Sequence, residues 1–455
     1  MQDVKIEPVG HARLLRLALP MTVAHLSTPL LGFADATVIG RLGQASLLGA
    51  IAAAAVIFDV LFWGFGFLRM GTAGLTAQAA GAADPAEERA ILARALVLAA
   101  AIGVALIALQ MPIAAVAFAL LGAGPQVTAA AHAYFDMRIW SAPFALANYA
   151  VLGALTGRGR TDLALALQIL INLGNIGLNV ALVYGFGLGV RGSALGTLIA
   201  EVIGAGAGLM LVARVYANPL GVPMRVLFAR KAFARMMALN GDIMVRTLLL
   251  LFSFAFFTSQ GARNGDATLA ANAVLMNLFL SAAYFLDGFA TAAEQMCGQA
   301  LGAGDGASFR AAVRLALQWS LAFGAGAAVL AFIGGRAFID FVSTNPEVRR
   351  LAHGDLVFAA LTPLLGAAAF AFDGIFVGAT WSRDMRNMMI LSTGAFIAAF
   401  VALRGLGNAG LWASLLIFLA ARGGALGWRY RSRVSVAFPA LQSAAACPTP
   451  SASER

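Results

Sequence analysis

Charge is scarce in this sequence. Only 11% of the 455 residues are Asp, Glu, Lys or Arg, against 61% hydrophobic residues, and the mean hydropathy is +0.84. A soluble chain of this length needs far more polar surface, so a water-soluble globular protein is excluded and a polytopic membrane protein is expected. Cysteine is equally sparse: Cys297 in an apolar segment and Cys447 in the tail offer neither a disulfide framework nor a metal cluster. A compact His and carboxylate metal pattern is missing, as is a nucleophile constellation, so an enzyme is not expected and no cofactor is called for. The first charged and apolar stretch lacks a convincing cleavage site, and no cleavable signal is expected.

What is present is a series of long apolar runs. About 20 residues cross the hydrocarbon of a bilayer, and each helix must satisfy its own backbone hydrogen bonds there. Such runs cover residues 15–39, 47–69, 91–113, 128–150, 162–186 and 190–213, then 236–258, 268–293, 309–333, 353–378, 387–405 and 409–428. The reading is an all-α polytopic membrane protein with twelve transmembrane helices. It divides into residues 1–14, a six-helix lobe over 15–213, a basic linker over 214–235, a second lobe over 236–428, and a tail over 429–455. From about Gln442 that tail is small and polar and is expected to be disordered.

The net charge of +10 would suggest nucleic acid in a soluble chain. Here the arginines sort by side. Arg13, Arg16, Arg89, Arg94, Arg158, Arg160, Arg310, Arg314, Arg383 and Arg386 join the linker and the tail on one side. Fewer fall opposite: Arg41, Arg191, Arg263, Arg336, Arg349, Arg350 and Arg404. Basic residues are retained on the cytoplasmic side, so both termini are expected there and no nucleic-acid partner is expected.

The two halves resemble each other. Gln78, Gly81 and Asp84 of TAQAAGAAD match Gln299, Gly302 and Asp305 of CGQALGAGD at an offset of 221 residues, and Gly153 and Gly157 match Gly374 and Gly378 at the same offset. Six spans per copy put both copies the same way up, as parallel repeats about an axis near the membrane normal. A cleft between two such bundles is the natural translocation path.

Ionisable groups in hydrocarbon are costly and tend to face a cavity or a partner. Asp35, in PLLGFADATVIGRLG, lies deep in the first span. Asn172, Asn175 and Asn179 recur at three- and four-residue spacings along one face of the fifth. Asn175 and Asn179 share the depth of Asp35, which makes a common polar site possible; plain interhelical amide bonding is the simpler reading. Burial works against a carboxylate's charge, whereas amide donors and a bound cation favour it. Such an Asp is suited to alternate between protonated and ionised, the chemistry of a proton-coupled carrier. The same oxygens could instead form a sodium site of Asp35, Asn175 and Asn179. Smaller candidates are Asp287 and Glu294, seven residues apart on one face of the eighth span, Arg246 as a partner for Asp287, Asp373 as a second transport carboxylate or a packing group, and His25 as a relay or an ordinary interface histidine.

Taken together, PLLGFADATVIGRLG, TAQAAGAAD, EQMCGQALGAGD, NIGLNVALVYGFGLGVRGSALGTLIAE and DGIFVGAT resemble the multidrug and toxic compound extrusion (MATE) transporters, in particular their DinF-like branch. The resemblance covers about 420 residues. It implies two six-helix lobes around a V-shaped cavity, and export of organic, often cationic, molecules against an inward proton or sodium gradient. Asp35 falls on the family's first-helix acid and Asn175 on its fifth-helix asparagine. Asn179 stands where many relatives carry an aspartate, which favours protons over sodium. Asp373 falls in the tenth-helix acidic region used by other branches. The resemblance further implies a bacterial inner-membrane location. An organic small molecule and membrane lipid are the partners expected of a functional monomer. A lipid-linked precursor flippase is the alternative of related architecture.

Overall fold

The computed structural model describes residues 7–41, 45–122, 124–216 and 221–439; the distal tail and part of the linker lie outside the described residues. Twelve membrane-crossing segments follow one another: α1 (His11–Gly40), α2 (Ala45–Gly64, then Phe67–Gly81), α3 (Pro85–Ala108, then Gln110–Leu121), α4 (Pro125–Arg138, then Ala142–Gly157), α5 (Thr161–Val180) and α6 (Gly189–Val215), then α7 (Arg230–Arg263), α8 (Asp266–Gly302), α9 (Gly306–Val342), α10 (Pro346–Gly378), α11 (Ser382–Leu403) and α12 (Gly407–Ala437). A short helix, Met224–Leu227, lies between the lobes. No strand occurs among the described residues.

Local sequence explains the interruptions. Glycines at 64 and 66 break α2 just before Arg69. In α4, Pro143 lacks a backbone N–H, and a 3-10 turn over Ile139–Ser141 intervenes directly after Arg138. A π-turn over Ala181–Gly185 ends α5 one residue beyond Val180. Gly407, at φ +60, reverses the chain between α11 and α12, and Phe396 then meets Phe418 with ring centroids 5.7 Å apart.

The 221-residue repeat is visible atom by atom. A Cβ on Gly153 would stand 2.4 Å from the carbonyl oxygen of Arg69, and one on Gly157 2.3 Å from that of Ala73. In the second lobe a Cβ on Gly374 would stand 2.0 Å from the carbonyl oxygen of Ala290 and one on Gly378 2.1 Å from that of Glu294, each residue shifted by the same 221. The α4–α2 contact of one lobe is therefore the α10–α8 contact of the other. Asp84 caps α3 by accepting from the backbone N–H groups of Ala86 and Glu87, and Asp305 caps α9 from those of Ala307 and Ser308.

The lobes meet along a seam at the end where the N-terminal residues lie, called here the terminal end. A Cβ on Gly81 would fall 2.0 Å from the carbonyl oxygen of Gln299, and one on Gly302 2.0 Å from that of Gln78. Equivalent residues thus exchange contacts across a pseudo-twofold axis. Polar bonds reinforce the same end. Gln78 donates to the Gly378 carbonyl at 2.8 Å, Arg235 donates to Gln78 Oε1 at 3.0 Å, and Arg13 donates to both Gln295 and Gln299. Thr22 and Ala18 of α1 crowd Gly288 of α8 at the upper edge of this contact. These contacts, from Gly81 and Gln299 to Thr22 and Gly288, join the lobes towards the terminal end.

Candidate functional site

Helix α5 presents Gln168, Asn172, Asn175 and Asn179 on one face, and the structure turns that face onto α1. Gln168 donates to Asn172 Oδ1 at 3.1 Å, and Asn172 donates to the Ser27 hydroxyl of α1 at 2.7 Å. Asn179 donates from Nδ2 to both Asp35 Oδ1 and Asn175 Oδ1, the latter at 3.0 Å. Above them the Tyr184 hydroxyl donates to the Val38 carbonyl at 2.6 Å, so the π-turn anchors the end of α5 beside Asp35. The three asparagines are buried and Asp35 is half-buried.

The network continues to α6. Asn175 donates to the Thr197 hydroxyl at 3.0 Å, which donates in turn to the Ser193 carbonyl at 3.1 Å. On α4, Arg138 donates to the Tyr134 hydroxyl at 2.8 Å. The Arg138 guanidinium stacks 4.7 Å over the Phe58 ring, within electrostatic reach of Asp35 and Asp59. Asp35 thus ends a hydrogen-bonded chain across α1, α5 and α6, with Arg138 of α4 as a cation within its electrostatic reach. Sequence reading missed Arg138, Tyr134 and Thr197. Arg138 carried a usable signal, an arginine well inside an expected span, by the criterion that singled out Asp35.

Asn179 Oδ1 is buried without a hydrogen-bond partner. It lies 2.3 Å from where a Cβ on Gly196 would stand, so only glycine at that position of α6 leaves the amide its room. Its two N–H groups are committed, and the only charge they meet is on Asp35. Among the described residues no group of three His, Cys, Asp or Glu side chains could hold a metal ion.

The second lobe has no copy of this site. The 221-residue offset carries Asp35, Asn175 and Asn179 onto Phe256, Phe396 and Phe400. These phenylalanines keep the equivalent contacts, with ring centroids of Phe256 5.7 Å from Phe396 and 5.1 Å from Phe400. An aromatic cluster has replaced the polar one.

The charged groups of the second lobe lie deeper in its core. Asp373 of α10 pairs with Arg246 of α7 and Arg422 of α12, all three buried. The expected Arg246–Asp287 pair is corrected accordingly: α10 packs between α8 and α12 and brings Asp373 onto the guanidinium, leaving Asp287 within electrostatic reach but outside the ion pair. Arg422 was not singled out from sequence, although it too stands inside an expected span. Nor was Glu201 of α6, which accepts from Asn148 of α4 at 2.6 Å. His25 does not join the Asp35 network: its Nδ1 is buried without a partner, and its nearest charge influence is Arg69. Glu294 is buried with Oε1 likewise unpartnered.

Comparison with known proteins accords with this architecture. The MatE family model matches twice, over residues 20–181 and 243–403. The DNA damage-inducible protein F of Escherichia coli (strain K12) is 38% identical over 435 residues, covering 94% of each chain. A probable multidrug resistance protein NorM of Rhodopseudomonas palustris is 26% identical, covering 91% of this chain and 90% of its own. The crystal structure of the Vibrio cholerae MATE transporter VcmN in its bent form superposes with a TM-score of 0.83 at 21% identity, covering 94% of this chain and 98% of that one. With two copies of the family model, two lobes and twelve spans in agreement, the chain belongs to the MatE family of integral membrane transporters.

Proposed function

We propose that this protein is a secondary antiporter of the inner membrane that exports organic, cationic or amphipathic compounds in exchange for protons, with Asp35 as the coupling carboxylate. The observation that carries the reading is the bond from Asn179 to Asp35. On this reading the half-buried carboxylate faces a cavity between the lobes, and its bond to Asn179 ties it to the polar groups of α5 and α6. The arginine bias puts the terminal end in the cytoplasm, so the cavity faces outwards. An ionised Asp35 attracts a cationic group; a proton arriving from outside removes that attraction and releases the compound. Asn179 and Asn175 hold the carboxylate in place, and Arg138 supplies compensating charge when it is ionised.

Protons are favoured over sodium by the donor set. Sodium, like other hard cations, needs several converging oxygens. Here Asn179 turns its N–H groups towards Asp35, and Asn175 commits its own to Thr197. A guanidinium already occupies the electrostatic neighbourhood. A lipid-linked precursor flippase would need central cations free for a pyrophosphate, whereas Arg246 and Arg422 share Asp373 and Arg138 is bonded to Tyr134 within electrostatic reach of Asp35 and Asp59.

The test is efflux from reconstituted vesicles under separately imposed proton and sodium gradients. Wild type is expected to respond to the proton gradient alone, and Asp35→Asn to lose that response. Equal proton-driven flux in both proteins would remove Asp35 from the coupling role. Flux driven by sodium would reverse the choice of ion.

A further inference from the structure

The seam holds charged groups that the Asp35 reading leaves unused. Gly288 of α8 packs closely against Thr22 and Ala18 of α1, so this stretch of α8 belongs to the contact between the lobes. Asp287, half-buried, is its neighbour. Glu294 lies seven residues further along the same face, about 10 Å deeper by helical rise. It is 5% exposed, and its Oε1 has no hydrogen-bond partner. Across the seam the first lobe offers Arg69, at the break in α2, within electrostatic reach of both acids.

The other groups facing this stretch are mostly engaged. On α1, His25 lies higher, and Arg13 is bonded to Gln295 and Gln299 nearer the terminal surface. Arg246 of α7 is held by Asp373 of α10, and Asp242 of α7 by Arg386. Arg158 at the end of α4 pairs with Glu88, and Tyr149 is half-buried higher in α4. Helix α9 brings Arg310 and Arg314, exposed at the terminal end. Tyr284 of α8 is within electrostatic reach of Asp287 and of the exposed Asp59 of α2, and Arg246 reaches Asp287 but is held by Asp373. Arg69 is the cation of the opposite lobe within reach of both Asp287 and Glu294. Glu294 is thus a buried acid with an open oxygen in the contact between the lobes.

We propose that Asp287 and Glu294 form a second proton-binding site in the seam, and that the attraction of Arg69 to their ionised forms holds the terminal end shut. This rests on the proton-coupled reading and extends it. A proton entering through the open cleft reaches Asp287 first and cancels charge at the edge of the seam. Passed on to Glu294, it removes the remaining attraction, and the lobes separate at the terminal end. Glu294 then meets water on that side and releases the proton there. Ionised again, the acids draw Arg69 back and the seam closes. Two carboxylates in sequence thus link proton entry on one side to opening on the other, independently of Asp35.

The experiment measures the distance between spin labels at Ala86→Cys and Ala307→Cys, exposed and equivalent positions either side of the seam. Both native cysteines are replaced, and no substrate or gradient is present. Between about pH 8 and pH 5, wild type and Asp35→Asn are both expected to shift from short to long distances, with about a tenfold change in the open-to-closed ratio. Asp287→Asn, Glu294→Gln and Arg69→Met are expected to give long distances throughout. Asp287→Glu and Glu294→Asp, which keep both acids, should keep the wild-type response, which separates loss of the latch from loss of the fold. A wild-type distance that ignores pH overturns the proposal, as does a normal response in both Glu294→Gln and Arg69→Met. Vesicle flux is read separately: proton-driven flux with a pH-insensitive seam removes only the seam site, whereas a pH-sensitive seam without proton-driven flux removes only the antiport reading.

Discussion

Asn179 differs from an aspartate by one amide nitrogen, and that nitrogen decides what Asp35 can hold. As an amide it donates to Asp35 and to Asn175 at once. As a carboxylate it would offer only acceptors, and the Asp35 neighbourhood would gain oxygens able to converge on a metal ion. Asn179→Asp is therefore expected to make transport responsive to a sodium gradient where wild type is not, measured by flux under sodium alone; an unchanged ion preference would show that position 179 does not select the ion. The asparagine face was legible in the sequence because three- and four-residue spacings align side chains on a helix. The cation within reach of Asp35 was not. Arg138 is brought beside Asp35 by the turn before Pro143 and by the packing of α4 on α6, neither of which leaves a periodic signature. The same limit applies to Asp373. Its burial in a span was evident, but whether it would meet Arg246, Arg422 or a cavity depended on which of three helices packed around it.

Helix ends and helix contacts repeat more faithfully than the polar interior. Asp305 caps α9, and its carboxyl is held below the usual carboxylate range by the Ser308 hydroxyl and by the backbone N–H groups of Ser308 and Ala307. A carboxyl whose native value is depressed adds stability above its ordinary range, and loses it as pH falls through the native value. Asp305→Ala is accordingly expected to cost about 1 kcal/mol near neutral pH and progressively less in acid, as followed by unfolding in detergent at a series of pH values. A penalty that stayed constant in acid would contradict the capping account. The seam glycines admit a stricter comparison. A Cβ at Gly81 or Gly302 would stand 2.0 Å from a backbone oxygen, so each lobe would have to yield. Gly81→Ala and Gly302→Ala are expected to destabilise by similar amounts, about 1–3 kcal/mol, in thermal unfolding; sharply unequal losses would mean that the two contacts are not equivalent. The constant offset of these residues could be read from the sequence. That the two copies touch each other, instead of merely resembling each other, could not, because an offset carries no information on which faces meet.

The whole molecule has one symmetric region and one asymmetric region. At the terminal end, Gln78 and Gln299, Gly81 and Gly302, and Asp84 and Asp305 occupy matched places, and the first two pairs contact each other reciprocally. Away from that end the match is lost: the polar site of one lobe is an aromatic cluster in the other. The twelve spans and the division into lobes followed from apolar run length and basic-residue bias, which membrane physics imposes directly. The difference between the two equivalent sites needed coordinates, because Phe256 reads as one aromatic among many until it is seen in the place of Asp35. The reciprocal seam has a further meaning. A surface that pairs with its own copy about a twofold axis is what a homodimer uses, so this chain is in effect a dimer whose subunits have been tied together. In a true dimer both subunits must change together. Tying them allows the two lobes to specialise separately, one keeping a polar cluster and the other an aromatic one in the same place, while the self-complementary joint stays common to the two.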